Sequence, residues 1–183
     1  MIILRPTSLD DAAAFAALYA ANRDALARTG PLRDDAFFTE AHQRDRLAAQ
    51  AEARAADAGH AYAIVEDGAL AGAITLTNVV RGPMQSANVG YWVDAPRNGR
   101  GVATAAVEAV CRLAFDDLGL HRLEAGTLPD NAASQRVLAK SGFERIGLAR
   151  RYLFLGGAWC DHVLFQRIAD DDGAMVASPR PRT

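Results

Sequence analysis

The residues best suited to chemistry lie in one short run, Asn98-Gly99-Arg100-Gly101-Val102-Ala103-Thr104. The two glycines let the backbone turn tightly and leave no Cβ in the way of an approaching oxyanion. The first N–H groups of a helix are unpaired donors, and the helix dipole adds positive potential at the same end. Arg97 and Arg100 supply forked donors of the kind that match phosphate. A pyrophosphate ligand would use every one of these features. A plain glycine turn flanked by solvated arginines would look the same from these residues alone. The run is not a Walker A loop, which needs GxxxxGK[ST]. Nor is it a Rossmann fingerprint, because Thr104 stands where a third small residue belongs and the run comes past the chain's midpoint.

Other chemistries find little support. His42, His60, His121 and His162 are scattered without metal-ligand spacing, so no metal site is expected. Asp161 and His162 alternate faces on a strand and cannot share a target. There is no GxSxG elbow. Cys111 and Cys160 form no CxxC, and Cys111 reads as a small hydrophobe in mid-helix. Tyr91 and Trp92 read mainly as core, with Trp92 near enough to reach a ligand.

The elements that must position the glycine run follow from periodicity. Residues 2–5 read as a strand stopped by Pro6. Ser8 or Asp10 caps a helix through Phe15, Leu18 and Tyr19. A loop around Thr29-Gly30-Pro31 ends at Phe37-Phe38, and residues 39–57 form an alanine-rich helix closed by Gly59. Strands at 61–66 and 69–78 are joined by Glu66-Asp67-Gly68, a strong hairpin signal. A strand at 87–94, a helix over 102–118 and a strand at 121–127 make one βαβ unit with near-parallel strands. A helix at 132–140 and strands at 143–154 and 158–168 complete the chain. The class is α+β with a mixed sheet.

With these blocks in order, the span from Ala71 to Ile168 resembles the GNAT acetyltransferases, specifically the RimJ/RimL type of ribosomal-protein-alanine N-acetyltransferase. The family's phosphate-loop pattern, Q/R-x-x-G-x-G/A, lands on Asn98 to Ala103, with asparagine in its first position. Gly90-Tyr91-Trp92-Val93 is similar to the family's fourth strand, and Asn78-Val79-Val80-Arg81-Gly82 to the RimJ branch. His121-Arg122, Pro129-Asp130-Asn131 with Ser134, Leu138, Gly142-Phe143-Glu144, Gly147, Gly157-Ala158-Trp159 and Asp161-His162-Val163-Leu164 complete the match. Before Ala71 the likeness is one of layout only.

The resemblance implies the GNAT fold, a mostly antiparallel sheet of about seven strands with splayed central strands, and acetyl-coenzyme A as co-substrate. It implies that Trp92, Val93 and Asp94 run along the cofactor arm and that residues Arg97, Asn98, Gly99, Arg100, Gly101, Val102, Ala103 and Thr104 hold the pyrophosphate. Asn131 would contact the cofactor, and it can at the same time serve as N-cap of the following helix, a role asparagine performs well. The Val93 N–H would be the oxyanion donor. Many relatives place a tyrosine acid where this chain has Leu138, so Ser134 becomes the candidate near the sulfur. Glu124 is a candidate base acting through water. Phe37, Phe38, Asn78 and Arg81 are candidate acceptor contacts.

The chain has 183 residues, half of them apolar and 23% charged, with a formal net charge of −2. That suits a single domain, expected over 1–169, with 170–183 as a disordered tail. Near-neutrality excludes a general polyanion binder, so no nucleic-acid partner is expected. No signal peptide or long apolar run is evident, and the expectation is a cytoplasmic protein off the membrane, monomeric or homodimeric. An α-amine has a reference pKa of about 7.7–8.0 against about 10.4 for lysine, so it offers neutral nucleophile without a dedicated base. The expected acceptor is therefore a protein N-terminus, ribosomal by resemblance. A small amine such as a polyamine or aminoglycoside is the second expectation, and a non-catalytic acyl-coenzyme A sensor the third.

Overall fold

A strand buried on both faces, as His60–Glu66 is along nearly its whole length, needs two covers, and this chain supplies them from its two halves. A computed structural model describes residues 1–170. The strands are β1 (Ile2–Pro6), β2 (His60–Glu66), β3 (Ala69–Val80), β4 (Ser86–Val93), β5 (Arg122–Thr127), β6 (Glu144–Leu155) and β7 (Ala158–Ile168). They form one sheet in the order β1-β2-β3-β4-β5-β7-β6, antiparallel except for β4 with β5. The helices are α1 (Ala12–Ala21), α2 (Arg23–Ala27), α3 (Glu40–Ala55), α4 (Val102–Arg112) and α5 (Ala132–Lys140).

Each face of the sheet carries its own core. Phe15 and Tyr19 of α1, Leu47 of α3 and Phe37 pack on Ala63 and Ala73. On the other face Val102, Ala106, Val107 and Val110 of α4 and Leu138 of α5 pack on Ile64, Ile74, Leu76 and Leu123. Adjacent residues of β4 therefore serve different cores: Tyr91 and Val93 join the second, Trp92 the first.

Several expected boundaries shift for local reasons. Asp57, at φ 53°, takes the left-handed position after α3, and the amides of Ala58 and Gly59 return to the Ala53 carbonyl. Thr39 caps α3 through the His42 amide, so the helix proper starts at Glu40. The expected helix 102–118 is regular only to Arg112. Residues Leu113–Asp117 continue as a π-turn, with the Leu118 amide bonded to the Leu113 carbonyl. A short helix, α2, occupies the start of what reads as loop. Of the expected tail, everything beyond Asp170 lies outside the described residues. No helix among the described residues is long and apolar enough to cross a membrane.

The parallel pair fixes the site. β4 and β5 are partners only at Ser86, Ala87 and Asn88 with Arg122, Leu123 and Glu124. Beyond Asn88 the strands part, while β4 stays paired with β3 as far as Gly72 and Val93. A register shift between Ile64 and Val65 bends β3 beside this point. Here β3 and β4 approach so closely that a Cβ on Gly72 would lie 2.2 Å from the Trp92 carbonyl oxygen. Only glycine fits.

Candidate active site

Where β4 runs on without β5, half of its backbone groups lose a partner. The Asp94 amide donates to the Ala71 carbonyl at 2.8 Å. Alternation along an antiparallel ladder then sends the Val93 N–H to the opposite edge, into the gap left by β5. An unpaired amide in an opening between strands is a ready donor for an oxyanion.

The chain next makes a short turn, Ala95–Arg97, and reaches Gly99 and Gly101, with φ of 76° and 85°. These left-handed values strongly favour glycine. Gly101 is the N-cap of α4 and offers no side-chain cap, whereas α3 and α5 are capped by Thr39 and Asn131. The first intrahelical bond here comes from the Ala105 amide to the Gly101 carbonyl. The amides of Val102, Ala103 and Thr104 are thus left for a ligand.

These amides open into a cavity of about 450 Å³. Trp92, Val93, Arg97, Asn98, Gly99, Gly101, Val102, Ala103, Thr104, Asn131 and Ser134 line it, all of them residues singled out in the sequence. Asp94 and Arg100 stand outside it. Asp94 accepts from the Asn22 side chain at 2.8 Å and lies 3.5 Å from Arg97. Arg97 also bonds the buried carboxylate of Glu66, with Arg100 3.7 Å from that same carboxylate. Two of the expected phosphate cations are therefore partly neutralised by the protein. Arg136 and Lys140, one turn apart on α5, also line the cavity. Sequence reasoning missed both, although Lys140 is the only lysine in the chain.

At the mouth of the gap the Asn131 side chain accepts the Ser134 amide at 3.1 Å, capping α5. The Ser134 hydroxyl lies 2.8 Å from the Tyr91 hydroxyl. Burial pushes the Tyr91 phenol above its ordinary value, against a smaller lowering by that hydrogen bond. Tyr91 is hence protonated at neutral pH; its hydroxyl donates to the Ser134 carbonyl at 3.3 Å, and in the contact with the Ser134 hydroxyl either oxygen can be the donor. Alternation on β4 was the available signal, since it sends Tyr91 to the face that carries α5. Leu138, at the position where the family resemblance implies a tyrosine acid, is fully buried in the core.

A second cavity, of about 580 Å³, adjoins the first. Leu26, Thr29, Tyr91 and Trp92 border both. Phe37, Phe38, Tyr19, Arg23, Arg33 and Arg46 line the second one, with Asp24. The Trp92 indole N–H donates to the Tyr19 hydroxyl at 3.0 Å, which fixes the partition. Buried Asn22 ties α1 to the end of β4: its amide group donates to Leu18 and Asp94, and its oxygen accepts the Ala95 amide at 2.8 Å.

Three expected site residues lie elsewhere. Glu124 is half exposed, 4.0 Å from Arg122, and lines neither cavity. The Asn78 side chain donates to Asn88 at 3.4 Å on the surface. Arg81 bonds Asp57 at 2.6 and 2.9 Å, Gln85 at 3.2 Å and the Leu118 carbonyl at 2.8 Å, which makes it a clamp between the ends of α3 and the π-turn. Cys111 is buried, its thiol pushed up to about 11, and is inert as a nucleophile. Among the described residues no group of three His, Cys, Asp or Glu side chains is placed to hold a metal ion.

Comparison with known proteins extends the likeness beyond the motifs. The acetyltransferase (GNAT) domain family matches residues 1–144. The chain is 36% identical over 173 residues to the probable N-acetyltransferase YjcK of Bacillus subtilis, covering 93% of this chain and 96% of that protein. It is 30% identical over 165 residues to the [ribosomal protein uS5]-alanine N-acetyltransferase of Escherichia coli, covering 89% and 85%. Mycobacterium smegmatis RimJ, solved in complex with CoA-disulfide, superposes with a TM-score of 0.90 at 33% identity, covering 95% of this chain and 85% of that one. The likeness thus takes in the segment before Ala71, where the sequence motifs show only a common layout.

Proposed function

The chain belongs to the GNAT acetyltransferase family, and from that membership we propose that it moves the acetyl group of acetyl-coenzyme A onto the N-terminal α-amine of a protein. The observation that carries this reading is the gap between β4 and β5, with the glycine loop at one side and a second cavity at the other. Two similar proteins support the donor and the acceptor: the Escherichia coli relative is named for acetylating an alanine of a ribosomal protein, and the Mycobacterium smegmatis neighbour is in complex with CoA-disulfide.

The protein's own groups have distinct tasks in this reading. The amides of Val102, Ala103 and Thr104, with Asn98, Gly99, Arg136 and Lys140 around them, hold the pyrophosphate end of the donor. Trp92 and Val93 orient its arm along the free edge of β4. The Val93 N–H donates to the carbonyl oxygen as the amine nitrogen adds to the thioester carbon and charge builds on that oxygen. When the C–S bond breaks, the Ser134 hydroxyl gives its proton to the departing sulfur and takes one from Tyr91 across the 2.8 Å contact, and Tyr91 is reprotonated from the water that receives the amine proton. The proton of the amine leaves to water. An α-amine needs no stronger base, since its reference pKa is about 7.7–8.0. Glu124, outside both cavities, is not required. A polyamine or aminoglycoside suits the acceptor cavity poorly, because Arg23, Arg33 and Arg46 face it.

The test is mass spectrometry of a mixed pool of ribosomal proteins, free-N-terminus peptides, polyamines and aminoglycosides after incubation with acetyl-coenzyme A. Acetyl groups confined to α-amines are expected. Acetylation confined to polyamines or aminoglycosides would overturn the acceptor, and tight donor binding with no transfer to anything would favour a sensor.

A further inference from the structure

The second cavity holds more positive charge than the protein balances. Arg46 is set deep in it, its guanidinium over the rings of Phe15 at 5.4 Å and Tyr19 at 5.0 Å. Its orientation is fixed by a neutral group: Nε donates to Gln43 Oε1 at 2.7 Å, and fully buried Gln43 is itself anchored to the Phe37 carbonyl at 2.5 Å. No carboxylate among the described residues pairs with Arg46, and its Nη2 is buried without a hydrogen-bond partner. A cation drawn this far from water is ordinarily paired. Arg33 adds to the imbalance. Its guanidinium lies over Phe37 at 4.2 Å, also without a carboxylate, and is close enough to Arg46 to disfavour its charge. Arg23 is the neutralised member, bonded to Asp35 at 2.6 Å. Asp24 is the one acidic side chain in the lining.

Two like charges held beside aromatic walls, without a counter-ion from the protein, make a site that an anionic ligand would complete. Building on the transfer reaction proposed above, we propose that the acceptor carries a carboxylate close to its reacting amine, bound by Arg46 and Arg33. For a protein N-terminus this is an aspartate or glutamate at the second or third residue. A singly charged carboxylate suits walls that are largely aromatic and aliphatic better than a phosphate dianion, which loses more hydration there. Arg46 thereby sets specificity and touches no reacting atom. The same charge excludes acceptors with a lysine or arginine at those positions.

The test compares peptides identical except at the second residue, Ala-Asp, Ala-Asn and Ala-Lys, with free aspartic acid alongside. Product is counted by chromatography for the natural chain, Arg46→Gln and Arg33→Gln. The Asp peptide should exceed the Asn peptide in kcat/KM by about 10- to 100-fold, the range of a charge-assisted hydrogen bond in a desolvated site. Each variant should lose most of that preference while its affinity for acetyl-coenzyme A is retained, which separates specificity from damage to the fold. Arg33 is exposed, so its variant reads the effect even if Arg46→Gln folds poorly. Binding to the coenzyme A-loaded protein, followed by Trp92 fluorescence in a Trp159→Phe background, gives the same ratio without turnover. Tighter binding of the Asp peptide with no transfer would uphold the carboxylate site and remove the N-terminal acceptor reading. Transfer to free aspartic acid alone would do likewise, with the amino acid itself as the source of the carboxylate. Equal kcat/KM and equal binding of the Asp and Asn peptides, a preference for Lys, or an Asp preference that survives in both variants would overturn it.

Discussion

In the proposed reaction the proton relay joins Tyr91 to Ser134, two residues 43 positions apart in contact at 2.8 Å. A serine alone is a weak acid, and a tyrosine whose phenol is pushed up by burial remains protonated to feed it. Ser134→Ala should therefore lower kcat by about 100-fold, the scale of one general acid. Tyr91→Phe should lower it by about 10-fold, the worth of one hydrogen bond in a desolvated site. Affinity for acetyl-coenzyme A should hold in both, as measured by calorimetry. Ser134 was named through the family resemblance, as the serine three residues after Asn131; from the residues alone it reads as an ordinary hydroxyl in the first turn of a helix. Tyr91 was not legible, since a tyrosine in a strand reads as core until the helix it meets is known. Arg46 was equally hidden: one arginine among several on an alanine-rich helix shows its lack of a carboxylate partner among the described residues only once the cavity around it exists.

At the scale of elements, the site depends on two strands parting and a third pressing close. The sequence announced β4, the glycine loop and α4 through alternation, paired glycines and a 3.6-residue apolar stripe. It could not announce where β4 leaves β5, because pairing that stops after Asn88 is a tertiary outcome. Gly72 is the counterpart on β3. A methyl there would meet the Trp92 carbonyl oxygen at 2.2 Å, so β3 and β4 would have to separate beside Val93. Gly72→Ala is expected to cost about 1–3 kcal/mol by overpacking. For a domain of this size that is roughly 2–4 °C of Tm per kcal/mol in a thermal melt. It should lower kcat as well, since the Val93 amide moves with the strand. An unchanged Tm would show that the close approach is not a constraint.

Across the whole molecule, Arg81 holds two distant helix ends together. It bonds Asp57 after α3 and the Leu118 carbonyl after the π-turn. The bond from Arg81 holds the Asp57 carboxyl below its ordinary range, with a smaller contribution from His60. The folded pKa is thus lower than the unfolded one, so the stabilisation is complete above the ordinary carboxylate range and is lost as pH falls through the folded value. Asp57 is 44% exposed, and solvent screening keeps the effect modest. Arg81→Ala should shift acid unfolding, followed by circular dichroism, to higher pH while leaving the acceptor KM unchanged. A raised acceptor KM would instead restore the contact that the family resemblance implies for Arg81. The mixed α+β class and the order of helices and strands, α2 apart, were legible at this scale from periodicity and turns. Long-range ties such as Arg81 to Asp57 and Asn22 to Asp94 were not, because nothing local marks which charge meets which. The central claim is acetyl transfer to an α-amine at the gap between β4 and β5. Its most direct measurement pairs two peptides, one with a free α-amine and no lysine, the other with a blocked N-terminus and one free lysine. Each is incubated with the protein and acetyl-coenzyme A and read by mass spectrometry. Acetylation of the first and not the second is expected; acetylation of the lysine with the α-amine untouched would overturn transfer to an α-amine.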